Sequence, residues 1–366
     1  AERNVYFDAR DDLGEFMAEG YNDSGWESAA LIAKAGDIPF GGLYSAMIAP
    51  IKFEEITDFA NAGDYVGAAL AQDTTLVLEL PGNIQFTPYF ELEAPAGKKL
   101  TFYTDTYTDK QDMPNFKDTY VTAEGVQCYE NYPWRSGSKL IIEAEAGVTF
   151  TRLGYRTSGF NGEWAGAFVS SDAGLDQLWQ ESLNTLAICM RDTYMDCPER
   201  ERGPYMGDAS NQIDAALYSY GQAGLDMTKK AILACVAWTR TDGAIPSRAP
   251  SVKPQEIPNQ SLIFMTSVYH YWLHSGDRET AAAYCTAFLN YLKMVEMENG
   301  LPVYREGSWT WNDWGECIDT KLLQAGIYYY ALNVTKAMAD DLGITEGTEF
   351  LTERMNSMQE NWRAAY

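Results

Sequence analysis

The feature that most constrains the fold is a change of character near residue 165. Before it, short runs of alternating or β-branched residues fall at 75–80, 86–92, 100–107, 140–145 and 148–155. The breaks between them carry Pro81-Gly82-Asn83, Pro95-Ala96-Gly97 and Ala146-Gly147. Side chains alternate faces along a strand, so short runs at this spacing predict an antiparallel β-sandwich. After residue 165 the apolar period lengthens to that of a helix. Leu175, Leu178, Trp179, Leu186, Cys189 and Met190 form one such stripe. It stands behind a start signal at Ser170-Ser171-Asp172, with Asp172 expected in the first turn. Further helices are predicted at 208–222, 226–240, 260–275, 277–296, 319–341 and 347–364. Gly224-Leu225-Asp226 and Gly276-Asp277 are read as breaks between them. Paired helices without a short-period repeat predict a toroid or an irregular bundle, not a solenoid. The 366 residues therefore divide into a β domain at 1–165 and a helical domain at 166–366.

Charge excludes some functions. There are 52 Asp and Glu against 27 Lys and Arg, a net charge of −25. Nucleic acid is bound by neutralising phosphates with cations, and anionic membranes attract basic segments, so neither is an expected partner. No apolar run approaches the roughly 20 residues of a membrane span. The six cysteines include no CxxC pair and are read as free thiols. His270 and His274 are four apart, but Tyr271 and Trp272 replace the Glu that follows the first His of a zinc protease motif. They are read as helix-face residues, and no metal or organic cofactor is expected. The compartment, cytoplasm or periplasm, does not follow from these residues.

Three polar segments stand out. The densest runs from Asp192 to Asp208 and includes Asp196, Glu199, Arg200, Glu201, Arg202 and Tyr205. Pro198, Gly203 and Pro204 keep it from being helix. Alternating Arg and Glu can hold one carboxylate ionised and leave another with a raised pKa, which is how a general acid arises. The competing reading is a salt-bridged surface loop. The second segment, 306–316, places Trp309, Trp311 and Trp314 beside Asp313 and Glu316. Indole faces stack on the apolar face of a pyranose while carboxylates hold its hydroxyls, though Trp is as often simply buried. Trp309, Trp311 and Asp313 alternate and would share one face of an extended segment. The third, 243–260, contains Pro246, Pro250, Pro254 and Pro258 and is read mostly as a plain connector.

The run Asp196-Cys197-Pro198-Glu199-Arg200-Glu201-Arg202-Gly203-Pro204-Tyr205-Met206-Gly207-Asp208 resembles the signature of the bacterial α-L-rhamnosidases. Shorter likenesses occur at Tyr21-Asn22-Asp23-Ser24-Gly25-Trp26, at 258–277 and at 309–315. The resemblance implies β-sandwich domains before an (α/α)6 barrel, and inverting hydrolysis of terminal α-L-rhamnosides. It implies Glu201 as general acid and Asp196 and Asp208 as carboxylates that bind sugar hydroxyls or tune the acid. Arg200 would bind sugar, and Tyr205 would stand where many members have Trp. Trp309, Trp311 and Asp313 would line the sugar pocket. The family's base, a Glu beside a Trp in the second half of the barrel, has no match here. Inversion requires that carboxylate at about 6.5–9.5 Å from the acid. Some seven helices against the twelve of six hairpins predict about the first half of the barrel, its remainder or a partner chain supplying the rest. Two other readings keep part of this picture. One is a six-hairpin enzyme for another sugar, and the other is a carbohydrate-binding fragment without turnover. A third, a structural protein with a solvated acidic loop, predicts no sugar binding.

Overall fold

The computed structural model describes residues 4–38, 41–106, 108, 116–309, 311–312, 315–316 and 318–365. The chain divides into two compact units, Ala1–Met47 with Lys52–Ser158, and Ile48–Ile51 with Gly159–Tyr366.

The first unit holds β1 (Tyr6–Asp8), β2 (Lys52–Asp58), β3 (Thr74–Ala94), β4 (Lys99–Thr104), β5 (Asp118–Val121), β6 (Gly125–Glu130), β7 (Arg135–Ala144) and β8 (Thr149–Gly159). They pair in the order β1-β5-β4-β7-β3-β8-β2, with β6 also on β3. The sheet is mixed rather than antiparallel throughout, because β1 adds parallel to β5. Alternation sets the core: Leu76, Leu78, Leu100, Phe102, Leu140 and Ile142 point into one apolar cluster. Pro81-Gly82-Asn83 does not end a strand as expected. β3 runs through it, and the register against β7 shifts between Glu79 and Ile84. Proline lacks the N–H of a regular ladder but is tolerated at a bulge. Inside this unit Arg135 sits against Asp118 at 2.5 Å, and Asn131 donates to the same carboxylate at 2.9 Å. A buried charge persists only with such partners.

The second unit contains, among its described residues, α1 (Ala173–Ile188), α2 (Met206–Ser219), α3 (Gln222–Ala237), α4 (Pro258–Ser275), α5 (Arg278–Lys293), α6 (Thr320–Leu342) and α7 (Glu349–Ala365). A hairpin of β9 (Met297–Glu298) and β10 (Leu301–Pro302) follows α5. Asp172 caps α1 from outside the first turn, accepting from the Gly174 amide at 2.8 Å. Gly224-Leu225-Asp226 lies inside α3, and the break comes at Gly221, where φ is 56°. Gly224 serves packing: a Cβ there would stand 2.6 Å from the Ala216 carbonyl of α2. Gly276 does end its helix, left-handed at φ 65°, and Asp277 starts the next. α4 packs between α2 and α6, α5 lies against α3, α4 and α6, and α7 lies against α6. Their apolar faces share one core that includes Ile213, Phe264, Met265, Phe288, Tyr328 and Leu332. His270 on α4 pairs with Asp214 on α2 at 2.8 Å, and His274 meets the Tyr218 ring edge-on at 5.2 Å. Cys189, Cys235 and Cys285 are buried free thiols, Cys197 is half-buried and Cys128 exposed.

Candidate active site

The loop between α1 and α2 is closed by its own backbone. The Asp196 amide donates to the Gly203 carbonyl at 2.9 Å, and the Gly203 amide returns to Asp196 Oδ1 at 2.7 Å. Arg202 turns the loop with a left-handed φ of 53° while its Nε donates to the Pro198 carbonyl at 2.7 Å. The loop is anchored from below by Gln212 of α2, whose Nε2 donates to the Met195 carbonyl at 2.6 Å.

This closure brings Asp196, Cys197 and Glu201 together, their donor atoms all within 4.8 Å of one another. The Cys197 thiol donates to Glu201 Oε2 at 3.6 Å, and Arg200 Nη2 donates to Glu201 Oε1 at 2.6 Å. Two carboxylates this close cannot both ionise freely. Burial, and then the Glu201 neighbour, push Asp196 up to about 6. Burial also acts to raise Glu201, but hydrogen bonds from Asp196 and Arg200 outweigh it and hold that carboxyl below its usual range. Below about pH 6 the pair holds a proton, which rests on Asp196, and Glu201 is the anion beside a guanidinium. Two carboxylates and a thiol at these distances have the chemistry to hold a cation as well as to share a proton.

Tyr205 occupies the position before the first turn of α2, and Asp208 lies in that turn, where a carboxylate complements the helix dipole. Arg248 lies over the Tyr205 ring at 5.2 Å and donates to its hydroxyl at 3.1 Å. Gly203 permits this approach, since a Cβ there would meet Tyr205 Cε2 at 2.8 Å. Arg248 belongs to the Pro-rich segment read as a connector, and so do Glu256, Asn259 and Gln260. The segment links α3 to α4 and also meets the start of α2, with the Met206 amide donating to the Ser247 carbonyl at 2.7 Å.

The tryptophan segment also reaches α2. A Cβ on Gly207 would meet Gln260 Cγ at 2.8 Å and Trp311 Cη2 at 3.1 Å, so the indole rests on the first turn of α2. Trp311 itself has φ 25° and is not in an extended conformation. Trp309 is 58% exposed. Asp313 and Trp314 lie outside the described residues. The structure thus gathers Asp196, Arg200 and Glu201 on one loop, with Tyr205, Asp208 and Trp311 on or against the start of α2. No sequence pattern marks Arg248, which is 43 positions from Tyr205.

The closed loop and its acid pair stand before α2, one of several helices that pack pairwise. Residues 163–366 match the model described as the bacterial alpha-L-rhamnosidase 6 hairpin glycosidase domain, and the chain belongs to that family. Solved structures agree in fold. A rhamnosidase of Bacillus sp. GL1 is 24% identical at a TM-score of 0.72, over 79% of this chain and 32% of that one. The α-L-rhamnosidase of Dictyoglumus thermophilum is 18% identical at 0.77, over 97% and 41%. That of Streptomyces avermitilis, complexed with L-rhamnose, is 15% identical at 0.75, over 99% and 35%. The chain spans about a third of the length of the Bacillus protein. No curated protein matches it.

Proposed function

We propose that this chain carries the general acid and much of the sugar pocket of an inverting glycosidase that releases terminal α-L-rhamnose. The observation that carries the reading is the geometry of the Asp196–Glu201 pair, with donor atoms within 4.8 Å and Arg200 Nη2 at 2.6 Å from Glu201, in the loop before α2. In this mechanism a sugar entering the pocket engages Arg200 and takes that cation off Glu201. The shared proton then passes to Glu201, which donates it to the departing glycosidic oxygen. Asp196 and Asp208 accept sugar hydroxyls, and Tyr205, Trp309 and Trp311 give the ring apolar faces to rest on, with Asp313 among the pocket residues.

Residues 1–165 are assigned as a β-sandwich domain, and 166–366 as the first half of an (α/α)6 barrel. Water attack from the opposite face requires a second carboxylate. Glu306, Asp313 and Glu316 do not match the family's base, so that base is assigned to the other half of the barrel or to a partner chain. In support, α6 and α7 leave a groove of 390 Å³ lined by Gly326, Tyr329, Met358 and Trp362. Leu322, Leu323 and Tyr330 on α6 are also exposed. A face of this kind is normally covered.

The test is release of rhamnose from an aryl α-L-rhamnoside by the chain and by its Glu201→Gln variant. Turnover lost in the variant supports the acid assignment. L-rhamnose binding without turnover supports the alternative of a carbohydrate-binding fragment, and no binding removes both readings.

A further inference from the structure

Glu256 is 3% exposed and its carboxylate is saturated. Arg305 donates through Nε at 2.5 Å and Nη2 at 2.9 Å, and the Tyr291 hydroxyl adds a third bond at 2.9 Å. The backbone of Glu256 grips the same loop. Its carbonyl accepts from the Ser308 amide at 2.7 Å, and its amide donates to Ser308 Oγ at 3.3 Å. Gln324 of α6 pins Arg305 from the far side, its Oε1 accepting from the Arg305 amide at 2.7 Å and its Nε2 donating to the Arg305 carbonyl at 2.9 Å. Gly307, at φ 61°, presses onto this anchor, since a Cβ would stand 2.7 Å from the Glu256 carbonyl. Three residues beyond Glu256, Asn259 Nδ2 donates to the Trp311 carbonyl at 3.3 Å and to Asn312 Oδ1 at 2.9 Å. The loop is thus fastened on both sides of Trp309, and its far end sets the Trp311 indole on Gly207.

A buried ion pair is a poor source of stability, because well-packed apolar side chains of similar volume do as well or better. What a bidentate guanidinium–carboxylate fork adds is registry, since its two parallel bonds fix both distance and angle. We propose that Glu256 is a positioning residue, and that its fork with Arg305 sets the register of the tryptophan loop and so the place of Trp311 in the sugar pocket. The inference rests on the functional reading above for the pocket, though not for the register.

The experiment compares the full chain with the double variant Glu256→Leu, Arg305→Met, both carrying Tyr291→Phe so that loss of the carboxylate leaves no buried hydroxyl unpaired. Three quantities are read: the unfolding midpoint, amide hydrogen exchange at 305–309, and L-rhamnose affinity. The double variant removes the fork without leaving a buried charge alone, so its midpoint is expected to stay near the parent's. Exchange at 305–309 is expected to quicken about tenfold or more, and rhamnose affinity to fall about tenfold, at that unchanged stability. A double variant with parental exchange overturns the proposal. If that protein does not fold, Glu256→Gln is read the same way, with exchange at 305–309 compared against exchange in α2. A parent chain that binds no rhamnose counts against the functional reading alone, and exchange at 305–309 still decides whether the fork sets the register.

Discussion

At the scale of single residues the site turns on one proton. The folded pKa of Asp196 is raised from 3.8 to about 6, mainly by burial. A group shifted in this direction contributes stability below its unfolded pKa and loses it as pH rises through the folded value. The opposite shift on Glu201 acts below its ordinary value of 4.5, so between that value and about 6 the Asp196 effect dominates. The unfolding midpoint should therefore fall as pH is raised through this window, and the fall should flatten in Asp196→Asn. A parental slope in the variant would place the proton elsewhere. The residue types of the acid pair were legible in the sequence because both carboxylates lie within six consecutive positions. Which of them holds the proton was not legible. That depends on burial and on the loop closure made by Gly203, neither of which a linear pattern contains. Arg248 was hidden for a related reason: its partner ring is distant along the chain and the residues around it are those of a connector.

At the scale of elements, the period of the apolar residues located the helices, while their ends followed local chemistry. Gly224 read as a break because glycine is unfavourable inside helices. It is kept there by the close approach of α2 to α3, a tertiary constraint invisible to propensity. The Pro81 bulge is the same lesson in a strand. Gly207 gives the test at this scale. Alanine would favour helix by up to about 1 kcal/mol. Its methyl group would also enter the space of Gln260 and the Trp311 ring. Gly207→Ala is expected to weaken L-rhamnose binding about tenfold or more while leaving the unfolding midpoint nearly unchanged. Calorimetric binding and a melt on the same sample check it. Equal affinity would mean that the indole has no part in the pocket.

For the whole molecule, the excess of acids is a property of the surface as well as a guide to partners. A net charge of −25 repels itself in the compact state, and salt at 0.1 M screens exposed charges more than about 10 Å apart. Raising sodium chloride from about 0.02 to about 0.2 M should raise the unfolding midpoint, and a fall would mean that attractive pairs outweigh the repulsion. The two-part architecture was readable at this scale because the apolar period changes once and stays changed. The mixed character of the sheet was not, since β1 is three residues long and pairs with a strand more than a hundred residues away.

The long strand β3 has a consequence for how the protein is made. Its first half is laddered to β7, its second half to β6 and β8, and Phe86 pairs with both Arg135 and Thr157. Contacts of such sequence separation form late, because the entropy of closing the loop is lost before the contact is gained. During synthesis the first half of β3 waits for β7, which ends at Ala144, and the second half cannot finish pairing until β8, which ends at Gly159, has cleared the ribosome. Until then its apolar residues stay open to water. The nascent β unit is therefore expected to lean on chaperones for as long as the ribosome takes to reach the helices.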